Sequence, residues 1–210
     1  GVADHAGLQR ARGQLVLGTN WCLRTLRPSF WQCVDLAVWR SEVARLAAPG
    51  IPLVALINKG IFSGGPYTTH ASKALRLVGR PTNLKICEFE IAPMRGGARV
   101  GGKWLNTAAP PYMPATASGK FHPSGNSVCY AIQWGMLMGC DPILLLGFTL
   151  RNGAGYDWGV ANPITQKPAF YDLDRALAFL RFVEGRWPGR VRLFPGWEGP
   201  IYDVFKLEQA

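Results

Sequence analysis

The feature that constrains this chain most is a helix signal followed directly by an apolar strand signal. Small and polar residues at 124–127 begin a predicted helix over 124–138, and Gly139 is placed to terminate it. The run Ile143-Leu144-Leu145-Leu146 then predicts a fully apolar central strand that ends at Gly147. A helix that leads into such a strand is typical of a parallel α/β sheet.

Alternating strand and helix signals extend this pattern over the rest of the chain. Strands are predicted at residues 14–19, 31–39, 52–57, 84–91 and 190–194, and helices at 41–48, 71–78 and 171–184. The run 84–91 alternates more than the others, which favours an edge strand. The pattern predicts one α/β domain over residues 1–210, Rossmann-like, with a mostly parallel sheet flanked by helices and with long Gly/Pro-rich loops. Residues 92–124 are expected to form a lid or insertion loop.

Composition restricts the class of protein and its partners. Of 210 residues, 48% are hydrophobic and 17% charged, which excludes an intrinsically disordered chain. No apolar run approaches the ~18 residues of a membrane span, and no leader peptide is recognised, so we expect no transmembrane segment. The net charge of +10 suits anionic partners such as nucleotides, nucleic acid or acidic glycans.

The cysteine pattern favours a reducing compartment. The chain has five cysteines, an odd number, and no Cys-x-x-Cys pair. We therefore expect reduced thiols in a cytoplasmic protein. With only three histidines and no close His/Cys spacing, a structural zinc site is not predicted.

Three segments are expected to meet where parallel strands end, which is where α/β sheets bind ligands. Asn20 follows the first strand and offers both edges of its amide, or simply stabilises a turn. Ser124-Gly125-Asn126-Ser127 begins a helix that attracts phosphate, or is an ordinary cap. The third segment begins at Gly147 and continues into a loop with Arg151, Asn152 and Tyr156.

Several of these side chains have a candidate chemical role and a plainer alternative. The Tyr156 hydroxyl can donate to a departing phosphate and Arg151 can neutralise a diphosphate, although loop packing and solvation explain both equally well. His122 is the candidate general base, since its ordinary pKa suits proton transfer, although a lone histidine is more often structural. Asp35, in an apolar stretch, contacts either a ligand or a neighbouring loop. Trp104 either stacks on a sugar or base or packs in the core.

The stretch from Ser124 to Phe148, with the loop Asn152–Tyr156 and the segment Gly18-Thr19-Asn20, resembles the bacterial sialyltransferases of glycosyltransferase family 42. Related folds include the hydroxymethyl-dihydropterin pyrophosphokinases of archaea and many uncharacterised phage and bacterial proteins. The resemblance covers about 60% of the chain. It implies a Rossmann-like fold in which Asn20, Gly125, Asn126, Ser127 and Tyr156 hold the nucleotide part of a donor.

Two departures separate the chain from that family. The family's glycine-rich turn at the N-terminal strand is absent, and Gln166-Lys167-Pro168 stands where the family has its catalytic histidine. The expected function is a glycosyltransferase that uses a CMP- or UDP-linked sugar and an acceptor hydroxyl on a glycan or a modified DNA base, with Mg²⁺ possible but not required and no protein metal site. One alternative is an Mg²⁺-dependent pyrophosphokinase-like transferase, with Asp35, Asp157 and Asp172 as candidate ligands. The other is a non-enzymatic nucleotide- or nucleic-acid-binding module.

Overall fold

A computed structural model gives the architecture of most of the chain. It describes residues 13–24, 26–34, 38, 41–42, 45, 53–58, 84–92, 97–100, 103–106, 110–124, 126–148, 173–194 and 199–207.

Strands outnumber helices in the described residues. The strands are β1 (Leu17–Thr19), β2 (Phe30–Cys33), β3 (Leu53–Asn58), β4 (Leu84–Ile91), β5 (Gly97–Val100), β6 (Lys103–Asn106), β7 (Lys120–Phe121), β8 (Ile143–Leu145), β9 (Val191–Leu193) and β10 (Lys206–Leu207). The α-helices with defined bounds are α1 (Ser127–Leu137) and α2 (Leu173–Arg186), and short 3₁₀ helices cover Asn20–Arg24 and Pro200–Asp203.

The larger sheet has five parallel strands in the order β1-β2-β3-β4-β7. Its register places Thr19, Gln32 and Leu56 side by side near the carboxyl ends of β1, β2 and β3. The smaller sheet, β10-β9-β8, is also parallel, and β5 and β6 form a separate antiparallel hairpin. The described part of the chain is therefore an α/β structure with parallel strands.

Helix α1 connects two hydrophobic clusters because it is apolar on two faces. Tyr130 and Trp134, four residues apart, pack with Phe89 and Phe121 of the larger sheet. From another face, Cys129 and Ile132 belong to the cluster formed by α2, β9 and the Pro200–Asp203 turn. A helix buried on both sides holds its first turn in a fixed place, which is why its start can serve as part of a site.

Many of the predicted elements are confirmed within a few residues. The apolar run 52–57 forms β3, and the run 84–91 forms β4 with the predicted bounds. Helix α1 ends just before Gly139, whose φ of 77° is the left-handed conformation expected of a terminating glycine. The predicted helix 171–184 is observed as Leu173–Arg186.

Three predictions of strand position were wrong. The strand predicted over 31–39 ends at Cys33, and Val38 is already helical. β4 is not the last strand of its sheet, because β7 pairs with its final two residues. β8 was expected to be central, but in the described residues it pairs with β9 alone, and its Leu144 is 40% exposed.

The segment 92–124 holds more regular structure than its glycine and proline content indicated. It contains the β5–β6 hairpin and strand β7, which continues the larger sheet. A role as a lid stays a prediction. Of the helices in the described ranges, none combines the length and the apolar character needed to cross a bilayer.

Candidate functional site

The candidate site lies where the carboxyl end of β1 meets the first turn of α1. The Ser127 hydroxyl donates a hydrogen bond to the Asn20 side-chain oxygen, with 3.2 Å between the two oxygens. These residues are 107 positions apart in the chain, and both were predicted to bind the ligand. The structure therefore brings together two of the three segments that the sequence predicted to converge.

Asn20 is held in an unusual backbone conformation. Its φ of 50° lies in the left-handed region, which asparagine tolerates better than most residues. The indole N–H of Trp31, a fully buried residue, donates to the Asn20 carbonyl at 2.7 Å. Trp31 therefore fixes the Asn20 backbone and Ser127 binds the side-chain oxygen, while the amide nitrogen has no hydrogen-bond acceptor among the described residues and can donate to a ligand. Such local strain, held by its surroundings, is commonly found at functional sites.

The first turn of α1 supplies the second part of the site. Asn126 is the N-cap, in extended conformation, and its side-chain oxygen accepts from the Val128 N–H at 2.9 Å. A helix start carries a partial positive charge from its aligned peptide dipoles, and this attracts anions. No acidic residue lies in the first turn of α1 to cancel that charge.

A buried amide lies beside the site on the sheet. Gln32 of β2 is the register neighbour of Thr19, the residue that precedes Asn20. Its side chain is fully buried, and neither its oxygen nor its nitrogen has a hydrogen-bond partner among the described residues. A buried amide without partners costs free energy, so Gln32 is a polar group that the packing alone does not explain.

His122 is placed in the interior and not in an open site. Its imidazole is 1% exposed, stacks on Phe179 at 5.3 Å between ring centroids and meets the Tyr112 ring edge-on at 5.2 Å. Gln133 of α1 binds its backbone. These contacts account for the imidazole as a packing group, and its role as general base stays a prediction.

Ser124 also faces the core. It is fully buried, next to the thiol of Cys129, a core residue of α1. Burial raises the pKa of the Cys129 thiol to about 12, and the nearby Ser124 hydroxyl opposes part of that shift. Ser124 is thus a packing residue at the approach to α1, whereas Ser127, three residues on, is partly accessible.

The cationic side chain nearest in sequence to Asn20 is already paired. Arg24, at the end of the 3₁₀ helix that Asn20 begins, binds the buried carboxylate of Glu42 at 3.1 Å. Its guanidinium also lies 4.7 Å from the Trp21 ring centroid. Burial raises the pKa of Cys22 in the same helix, and the Glu42 charge raises it further. Arg24 is therefore engaged in an ion pair that stabilises this corner of the fold.

The third predicted segment is only partly covered by the structure. Gly147 follows β8 with a φ of 70° and is half-buried. Outside the described residues lie the predicted Asp35, Gly125, Arg151, Asn152 and Tyr156, together with Asp157 and Asp172 of the metal-dependent alternative.

Sequence reasoning missed three residues that support the site. They are Trp31, which binds the Asn20 carbonyl, Gln133, which binds the His122 backbone, and Gln32, whose amide has no hydrogen-bond partner among the described residues. A glutamine in an otherwise apolar strand or helix is a signal that could have identified two of them, since a buried amide needs a reason. Nothing in the local sequence indicates that the Trp31 indole would reach Asn20.

Comparisons with known proteins found no match among family models, curated proteins or solved structures. Within the part of the chain that the structure describes, no group of three or more His, Cys, Asp or Glu side chains is arranged to hold a metal ion. All five cysteines are thiols.

Proposed function

We propose that the chain is a Rossmann-like glycosyltransferase that binds the phosphate of a CMP- or UDP-linked sugar between Asn20 and the start of α1. The observation that carries the nucleotide site is the Asn20–Ser127 hydrogen bond, which joins the end of a parallel strand to the start of a buried helix. That junction is where α/β sheets bind phosphorylated ligands. The choice of sugar transfer as the reaction comes from the resemblance of the sequence.

In the proposed reaction, these groups act on the leaving phosphate. The acceptor oxygen forms a bond to the anomeric carbon while the bond from that carbon to the phosphate oxygen breaks, with inversion, and the acceptor proton passes to a base. Negative charge grows on the departing phosphate, and the α1 dipole and the Asn20 amide donor stabilise it. Because these groups are fixed before the ligand arrives, little reorganisation is needed.

The test is calorimetric titration of CMP, UDP, GDP, ADP and ATP, each with and without Mg²⁺, into the wild-type chain and two variants. Asn20→Asp keeps the size of the side chain and tolerates the left-handed backbone, but replaces an amide donor with a negative charge. Ser118→Ala removes an exposed hydroxyl whose hydrogen-bond partner is the exposed Thr116, and it is the control.

We expect one cytidine or uridine phosphate to bind selectively, Asn20→Asp to weaken it at least tenfold, and Ser118→Ala to leave it unchanged. A tenfold loss corresponds to about 1.4 kcal/mol, the size of one charge-assisted hydrogen bond. Binding of ATP only with Mg²⁺ would replace the proposal with the pyrophosphokinase-like alternative. Equal binding by wild type and Asn20→Asp, or no nucleotide binding, would overturn it.

Transfer itself is tested separately by release of the free nucleotide from the selected donor. Release that depends on an added acceptor and falls in Asn20→Asp supports sugar transfer. Tight nucleotide binding without release over a range of glycan and oligonucleotide acceptors contradicts it and leaves a nucleotide-binding module.

A further inference from the structure

Gln32 lies on the face of the larger sheet that α1 covers. Residues two apart in a strand share a face, so Gln32 lies on the same side of β2 as Phe30. Phe30 and its register neighbour Leu17 pack against the cluster that contains Tyr130 and Trp134 of α1, and α1 contacts both β1 and β2. The buried Gln32 amide is therefore enclosed between the sheet and α1.

Gln32 is also close to the residues that are proposed to bind the phosphate. In the register of the sheet it pairs with Thr19, the residue directly before Asn20, and neighbouring strands lie about 4.8 Å apart. α1 begins at the same end of the sheet, because Ser127 in its first turn is hydrogen-bonded to Asn20. Thr19, Asn20 and Ser127 are all half-buried, so this end of the sheet is open to solvent. A glutamine side chain has three rotatable bonds and can turn its amide toward that opening.

The amide of Gln32 lowers the stability of the ligand-free fold. Its oxygen and its nitrogen are buried without a hydrogen-bond partner among the described residues, whereas the equally buried Gln133 pairs with the His122 backbone. An unpaired amide in the core costs free energy that an apolar side chain of the same size would not. Proteins break this rule mainly at functional sites, where a bound ligand supplies the missing partner.

We propose that Gln32 is a ligand-binding residue that contacts the nucleoside attached to the bound phosphate, an inference that rests on the proposed nucleotide site. Phosphate oxygens only accept hydrogen bonds, so a phosphate would leave the Gln32 oxygen without a donor. The carboxamide requires a neutral group that both donates and accepts. A nucleotide carries two such groups, the ribose hydroxyls and the hydrogen-bonding edge of the base. Asn20 and α1 then bind the phosphate, and Gln32 binds the uncharged part next to it.

Opposite effects on stability and on binding distinguish this role from a purely structural one. Gln32→Met keeps the approximate size of the side chain and removes both polar atoms. Without ligand, we expect its melting temperature to rise by about 2–4 °C, because an unsatisfied buried amide is lost. Its affinity for the nucleotide should fall about tenfold, because the bound polar group of the ligand is then left without a partner. A residue that only fills the core would not change the two quantities in opposite directions.

The experiment combines thermal melts with calorimetric titration of the whole chain. The selected cytidine or uridine phosphate is titrated directly, and ribose 5-phosphate and inorganic phosphate are titrated as its competitors. The matched control is Leu56→Met, which changes the buried register neighbour of Gln32 on β3, one strand further from β1 on the same face. The control should bind as the wild type does. If Gln32→Met does not fold, Gln32→Asn keeps the amide on a shorter side chain and should also weaken nucleotide binding.

The competitors identify the group that Gln32 contacts. A loss of affinity for ribose 5-phosphate in Gln32→Met assigns the contact to the ribose, and a loss confined to the nucleotide assigns it to the base. An equal loss for inorganic phosphate would mean that Gln32 acts on the phosphate site, and would overturn the inference. So would unchanged nucleotide affinity in Gln32→Met, or an equal loss in Leu56→Met, and both results leave the proposed nucleotide site standing. If the wild type binds no nucleotide, the proposed function fails and this inference fails with it.

Discussion

The side-chain amide of Gln133 pairs with both backbone groups of His122, much as a neighbouring strand would. Its oxygen accepts from the His122 N–H at 2.8 Å and its nitrogen donates to the His122 carbonyl at 3.2 Å. Gln133 is fully buried in α1, so this contact fixes the segment that leaves β7 against the helix it leads into. A residue in the middle of α1 therefore helps to position the segment that leads into the helix, and with it Ser127 in the first turn.

Replacing Gln133 with leucine should therefore destabilise the fold strongly. The change keeps the approximate volume but leaves the buried His122 N–H without this partner, whereas the His122 carbonyl still accepts from the Ser124 N–H at 2.8 Å. A buried donor left without a partner costs about 1–3 kcal/mol, so we expect the free energy of unfolding to fall by about that amount. Urea unfolding followed by circular dichroism measures it. A loss below about 0.5 kcal/mol would mean that the pairing contributes nothing to stability.

Replacing Gln32 with leucine should have the opposite effect on the free energy of unfolding. Gln32 is as deeply buried as Gln133, but neither polar atom of its amide has a hydrogen-bond partner in the part of the chain that the structure describes. Gln32→Leu removes an unsatisfied polar group from the core, and we expect it to raise the free energy of unfolding by about 1–3 kcal/mol. The two glutamines are matched controls for each other in one urea series. If both variants lose stability alike, Gln32 has a partner that offsets its burial.

Local signals in the sequence predicted where helices and strands lie better than they predicted which strands pair with each other. Asn126 is a typical N-cap residue and Gly139 a typical helix-terminating glycine, and α1 lies between them. The run that forms β8 is apolar throughout, and composition alone does not reveal which strand it pairs with. Its exposed Leu144 shows that an apolar strand can stand at a sheet edge.

The candidate site was predictable to the extent that it uses residues at the ends of elements. Asn20 and Ser127 lie at such ends, and general rules of α/β sheets placed them together. The hydrogen bond from Trp31 and the burial of His122 depend on how distant side chains pack. Single-sequence patterns carry no information on those contacts, so the supporting residues emerged only with the structure.

Gly18 of β1 should not tolerate a side chain. A Cβ built there would overlap the sulfur of Cys22 and lie 3.0 Å from the Pro28 Cγ. We expect Gly18→Ala to lower the free energy of unfolding by about 1–3 kcal/mol through overpacking. Adding Cys22→Ala removes the sulfur and should recover part of the loss, which a double-mutant cycle on thermal melts will show.

The matched glycine is Gly185, in the last turn of α2, where a Cβ would meet no atom within 4 Å. Gly185→Ala should be neutral or stabilise the fold by up to about 1 kcal/mol, because alanine is the better helix former. If Gly18→Ala behaves like Gly185→Ala, the strand has moved to make room and the close packing of Cys22 does not limit this position.

The buried thiol of Cys129 predicts a specific loss of stability at alkaline pH. Burial raises its pKa from 9.0 to about 12, so the folded chain keeps the proton over a range in which the unfolded chain loses it. Above about pH 9 the unfolded state binds fewer protons, and the free energy of unfolding should fall by about 1 kcal/mol per pH unit up to the folded pKa. Below that range the thiol is protonated in both states and does not make stability depend on pH.

Urea unfolding of wild type and Cys129→Ala at about pH 7, 9 and 10 isolates this group, since other ionisations cancel in the difference. The stability advantage of the wild type should be constant at the lower pH values and shrink toward pH 10. Parallel curves would show that the Cys129 thiol ionises alike in both states.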